Sequence, residues 1–153
     1  DNDRSCVLRV NAGPHTVLLT GDVERNAEGE LLGHYDPGRV DVLLVPHHGS
    51  RTSSTAAFVA ATSPRWALVP SGHRNRWGFP KPDVVARWEA AGSEVLVGST
   101  TCAIQLEPHP QRRLEPARLW RPASLSALIA ISPTSRSACA RSASWRSAPR
   151  WYL

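Results

Sequence analysis

Val42-Leu43-Leu44-Val45-Pro46-His47-His48-Gly49-Ser50 is the stretch on which the reading of the fold turns. Four apolar residues without alternation suit a strand covered on both faces, as in the parallel sheets of α/β domains. Two imidazoles follow at once, then Gly49, which permits a tight turn, and Ser50, which can bond a ligand oxygen or cap the next helix. If the strand alternation continues into the pair, the two rings face opposite ways. One can then bind a metal while the other faces a substrate. A lone buried histidine is usually a satisfied core residue; a tandem pair after an apolar strand is harder to read that way.

Working outward, residues 6–10 and 16–20 are β-branched and leucine-rich runs around a turn at Asn11-Ala12-Gly13-Pro14-His15, the pattern of a hairpin. Residues 23–32 have helical spacing, with Gly33 as the expected C-cap. Downstream, residues 52–61 suit a helix capped by Ser/Thr, and 66–69 a further apolar strand. Residues 71–79 form a polar loop, 82–91 a helix with proline in its first turn and Gly92 as its stop, and 94–97 and 102–106 two more strands. The order β-β-α-β-α-β-α-β-β implies an α/β layered domain. Ligand sites in such sheets gather at the carboxyl ends of strands. Thr20-Gly21-Asp22-Val23-Glu24 and the histidine pair both lie there.

Composition limits the alternatives. With 41% apolar and 20% charged residues the chain has material for one cored domain. The net charge of +5 suggests a polyanion partner, but residues 1–107 carry ten basic and twelve acidic side chains. The surplus belongs to residues 108–153, rich in Ser, Arg, Ala and Pro, which read as a mostly disordered basic tail. With Trp120, Trp145 and Trp151 that tail is either an arm for DNA or anionic membrane, or a plain solvated terminus. Cys6, Cys102 and Cys139 have no metal or disulfide spacing, and the first two read as buried thiols. No apolar run approaches the ~20 residues of a membrane span. The opening Asp1-Asn2-Asp3-Arg4 is neither a leader nor an initiator Met, which suggests a piece of a longer polypeptide.

Taken by itself, Asp22 reads either as an oxygen ligand for a divalent metal or as an N-cap of the following helix. Glu24 reads as a first-turn acid matching the helix dipole. Together, though, Asn2, Ser5 and Leu8 ahead of a hairpin, Leu18-Leu19-Thr20-Gly21-Asp22-Val23-Glu24, and Val42-Leu43-Leu44-Val45-Pro46-His47-His48-Gly49-Ser50 resemble the metallo-β-lactamase-like domain of ComEC-type competence proteins. The resemblance covers about residues 1–107 and implies the second half of an αββα sandwich, a mixed sheet with flanking helices. It further implies Asp22 as a metal-bridging ligand, His48 as a terminal ligand and His47 as the catalytic group beside the substrate phosphate. Asn2 falls where many members of that superfamily place another histidine.

Two departures qualify what is implied. The superfamily's His-x-His-x-Asp-His cluster occurs nowhere in this chain, so the other metal ligands are missing. The loop His73-Arg74-Asn75-Arg76-Trp77-Gly78-Phe79-Pro80 resembles a family segment reading Asn-x-aromatic-Gly-His-Pro, with Phe79 in place of the histidine. Ser50, Arg74, Asn75 and Arg76 are the expected substrate contacts; a solvent-exposed loop with scattered arginines is the alternative for that segment.

The resemblance implies a phosphodiesterase- or nuclease-like hydrolase domain of a DNA-uptake protein, with a divalent metal, zinc or manganese, in the intact domain or none in this piece alone. It also implies a parent in the bacterial inner membrane with this domain outside the cytoplasm. The implied partners are DNA, single-stranded or duplex, and the rest of the membrane-embedded uptake protein, with no small-molecule cofactor. The rival is a non-catalytic DNA-handling or assembly module of the same machinery. A generic small-molecule binder lacks any Gly-rich phosphate fingerprint here.

Overall fold

The computed structural model describes residues 2–101, 104–107, 115–116 and 151–152. A hairpin opens the fold: β1 (Leu8–Ala12) and β2 (His15–Leu19) pair antiparallel from Leu8↔Leu19 to Ala12↔His15. Its turn passes through Gly13 at φ +60, the left-handed region where a side chain is disfavoured. β2 then lies parallel to β3 (Val42–Leu44), β3 to β4 (Trp66–Val69) and β4 to β5 (Glu94–Val97). The result is a five-stranded mixed sheet in sequence order. Helices α1 (Arg25–His34), α2 (Ala56–Thr62) and α3 (Pro82–Ala90) connect the parallel strands.

Both faces of the sheet are covered, which accounts for the unbroken apolar strands. Leu43, Val45, Ala67 and Val69 join Phe58 and Val59 of α2 and Val84 and Trp88 of α3 in one cluster. Val42, Trp66 and Leu68 face the other way, with Leu96 and Ile104. Each Val, Leu, Ile or Phe side chain among them, fully buried, contributes about 1.5–3 kcal/mol. Trp88 is fully buried, meets Phe58 edge to face at 6.5 Å, and donates its indole N–H to Ser54 Oγ at 3.2 Å. The polar end of the ring is therefore satisfied inside the core.

Several boundaries differ from the sequence pattern. α1 runs through Gly33 and ends at Tyr35, whose extended backbone donates to Leu31 O; no left-handed residue is needed to close it. α2 starts later than expected, with Thr55 as N-cap accepting from Phe58 N at 3.3 Å. Gly92 does follow the end of α3 at φ +87. Cys6 is exposed, not buried, because it precedes β1 at the edge of the sheet.

After β5 come a short α4 (Gly98–Thr101) and β6 (Gln105–Glu107), which pairs antiparallel with β7 (Glu115–Pro116) and β8 (Trp151–Tyr152). The expected disorder of residues 108–153 otherwise lies outside the described residues, as do Cys102, Cys139, Trp120 and Trp145. Among the described residues no helix is long and apolar enough to cross a membrane.

Candidate functional site

Beyond the end of β3, which lies beside that of β2 in the sheet, three left-handed residues follow in succession. Pro46–Gly49 forms a short 3-10 turn in which His47 (φ 48, ψ 43) and His48 (φ 54, ψ 20) both leave the helical region, followed by Gly49 at φ +81. Each non-glycine residue held there costs about 1–3 kcal/mol, and such strain concentrates at functional sites. The turn is stapled at both ends. His47 N donates to Gly21 O at 3.1 Å, and Lys81 N donates to Gly49 O at 3.0 Å. A Cβ on Gly49 would stand 2.6 Å from Pro80 Cβ, so the close approach of residue 80 requires glycine. Gly21, at φ +59, likewise admits Ser5, whose Oγ accepts from Asp22 N at 3.2 Å.

The two histidines face different surroundings, but not because a strand alternates: they lie in the turn beyond β3. His48 Nδ1 donates to the carbonyl oxygen of Pro70 at 2.7 Å. A carbonyl can only accept, so Nδ1 carries the hydrogen and the other nitrogen presents its lone pair in the neutral ring. That nitrogen, Nε2, faces Asp22 Oδ1 at 3.6 Å. An acceptor facing a carboxylate is an arrangement that a cation relieves. Two ligands on one tetrahedral zinc ion, at about 2.0–2.2 Å each, stand roughly 3.4 Å apart. Asp22 makes no cap hydrogen bond to α1, whose N-cap is Glu24.

His47 turns to Glu24. Its Nδ1 donates to Glu24 Oε1 at 3.0 Å and lies 3.2 Å from Thr52 Oγ1. Glu24 is held in turn: Asn2 Nδ2 donates to Oε1 at 3.0 Å, and its own N–H donates to Asp3 Oδ1 at 2.9 Å. The Asn2 hydrogen bond, with smaller help from Thr52 and His47, keeps the Glu24 carboxyl below its usual range against the opposing effect of burial. Phe79 packs edge-on against the His47 ring at 5.8 Å.

The other expected contacts stand differently. Ser50 is buried, and its hydroxyl lies 3.0 Å from Thr52 Oγ1 and accepts from Thr52 N at 3.3 Å, so it braces the turn. The Asn75 amide closes its own loop, donating to Gly72 O and Phe79 O and accepting from Phe79 N at 2.8 Å. Arg74 and Arg76 are exposed on that loop, and Arg76 lies 4.2 Å over the Trp77 ring. The sequence reading overlooked the pairing of Glu24 and Asn2 with His47. Its one visible sign was the spacing of Asp22 and Glu24, two carboxylates placed to reach two histidines.

Among the described residues no group of three or more His, Cys, Asp or Glu could hold a metal ion. Asp22 and His48 supply two donors of suitable chemistry, short of the three or four that a stable zinc site takes. The described residues therefore do not make up a complete metal site.

No family model matches the chain. It is 41% identical over 106 residues to a protein named Competence protein ComA of Neisseria gonorrhoeae, a match covering 69% of this chain and 15% of that protein. It is 42% identical over 87 residues to Recombination protein 2 of Haemophilus influenzae, covering 57% and 11%, respectively. To ComE operon protein 3 of Bacillus subtilis it is 34% identical over 95 residues, covering 62% and 12%. These matches support a competence-related family. The chain spans 11–15% of the length of these curated relatives.

Proposed function

We propose that residues 1–107 are the C-terminal part of a metallo-β-lactamase-like domain that hydrolyses phosphodiester bonds in a DNA-uptake protein. The observation that carries this reading is the convergence of Asp22 Oδ1 and His48 Nε2 at 3.6 Å, with the ring oriented from behind by Pro70 O. Backing of a ligand histidine by a carbonyl is the usual second layer of a metal site. The relatives named for competence support the DNA-uptake setting, and the remaining metal ligands would come from polypeptide outside the described residues.

In this reading Asp22 and His48 would hold a divalent ion, zinc or manganese, whose chemistry when bound is Lewis-acid assistance to phosphoryl transfer. His47, tied through Nδ1 to Glu24 and Thr52, keeps one ring orientation and offers Nε2 to a phosphoryl oxygen or leaving group. Phe79 packs edge-on against its ring. A second reading, a non-catalytic DNA-handling module, is favoured by the incomplete donor set among the described residues.

The test separates the two histidines in the longer polypeptide of which we propose this chain is a part. His48→Ala should lower metal content and phosphodiesterase rate together. His47→Ala should keep the metal while lowering the rate about 100-fold or more, as for loss of a general acid–base group. If His47→Ala loses the metal and His48→Ala keeps it, the assignment is reversed; no metal and no hydrolysis in the wild type leaves the non-catalytic module.

A further inference from the structure

The loop between β4 and α3 carries a feature that this chemistry does not use. Trp77 is 58% exposed, the most open large hydrophobic side chain among the described residues. It stacks on Phe79 with the ring planes within 10° and centroids 6.5 Å apart, and Phe79 in turn meets His47. Cations are interleaved with the rings. The Arg76 guanidinium lies 4.2 Å over Trp77; Lys81 Nζ lies 5.2 Å from the centre of Phe79 and donates to Trp77 O at 2.6 Å. The loop is held in shape by the Asn75 clamp and by Gly78 N donating to Asn75 O at 3.1 Å. An indole kept in water on a braced loop forgoes the burial that stabilises most tryptophans.

We propose that Trp77 and Phe79 form a base-stacking platform for single-stranded nucleic acid beside the candidate site, with Arg76 and Lys81 taking its backbone phosphates. The position given to this platform rests on the phosphodiester reading of the adjoining site. The occupant follows from the alternation of flat apolar faces with positive charge, which matches a strand whose unpaired bases alternate with phosphates. A duplex keeps its base faces stacked internally and offers this surface only phosphates. Arg76 is exposed and covers Trp77 with a flexible side chain. When a phosphate draws the guanidinium aside, the indole face is open to a base.

The experiment measures fluorescence anisotropy of labelled oligothymidylate with the full chain, beside an abasic strand and a duplex of equal length, without added metal. Trp77→Ala should weaken oligothymidylate binding about 5- to 150-fold, the loss of one base–aromatic stack. Binding to the abasic strand and the duplex should stay within about twofold, and Trp77→Phe should restore most of the loss. Arg76→Ala should weaken binding to all three probes and lower the single-strand salt slope by about 0.7, as for one phosphate contact. Unchanged oligothymidylate binding in Trp77→Ala, or an equal loss on the abasic strand, overturns the platform. Because neither metal nor turnover enters the measurement, that failure leaves the hydrolase reading untouched, and an absence of hydrolysis leaves the platform standing.

Discussion

Replacing Glu28 with alanine removes a carboxylate that sits on α1 yet is fully shielded from solvent. Its two oxygens accept from the backbone N–H groups of Ser54 at 2.5 Å and Thr55 at 2.8 Å, the residues leading into α2. Hydrogen bonds to a charged group contribute about 1.5–3 kcal/mol each, and both donors would be left in a protein interior. Water entering the vacated space recovers part of this, so Glu28→Ala should cost about 3–5 kcal/mol. Glu28→Gln keeps one acceptor but turns an amide NH₂ toward the other N–H, and should lose roughly half as much. The loss reaches the candidate site, because neighbouring Ser53 donates to Pro46 O at 2.9 Å and Ser50 O at 3.1 Å across the histidine turn. Urea unfolding measures it: with a slope of about 1–2 kcal/mol/M, the midpoint of Glu28→Ala falls by about 1.5 M or more. Glu30→Ala, on the exposed side of α1, is the control and should stay within about 0.5 kcal/mol. A cost below about 1 kcal/mol for Glu28→Ala, or no advantage for Glu28→Gln over it, would refute the bridging role.

Gly49→Ala should lower stability by at least about 2 kcal/mol, since a left-handed alanine costs about 1–2 and its Cβ also meets Pro80. Gly13→Ala, equally left-handed but with nothing within 4 Å, should cost only the conformational part; equal losses in thermal unfolding would contradict the close-approach argument. Glu24 has a lowered folded-state pKa, so its contribution is fully present above the usual glutamate range of about 4–4.5 and is lost as pH falls through the folded value. Comparing unfolding midpoints across that acid window, Glu24→Gln should flatten the pH dependence; an unchanged profile would dismiss the Asn2–Glu24 bond as its cause. Residues 108–153 carry eight arginines and one glutamate, so deleting them should lower the salt slope of duplex DNA binding by up to about 6. An unaltered slope would move the electrostatic surface onto residues 1–107.

The parts of this structure that could be read from sequence are those where one local pattern has one physical solution. An unbroken apolar run at Val42, Leu43, Leu44 and Val45 suits a strand buried on both faces, and in the structure Leu43 and Val45 pack with the helices while Val42 is buried on the opposite face in a cluster with Trp66, Leu68 and Ile104. Glu28 defeats the same logic, because a helical pattern assigns carboxylates to solvent and only the fold delivers two backbone N–H groups to meet this one. The histidine pair shows the same limit at the candidate site. Alternation along a strand would separate the rings, but they separate in a left-handed turn, and their directions are set by groups remote in sequence. His48 faces Asp22 because the Pro70 carbonyl takes its Nδ1 hydrogen, and His47 faces away because Glu24 takes the corresponding hydrogen. A backbone carbonyl has no sequence signature, since every residue carries one. Two adjacent histidines could therefore be recognised as a pair with divided roles, while the means of dividing them belongs to the tertiary structure.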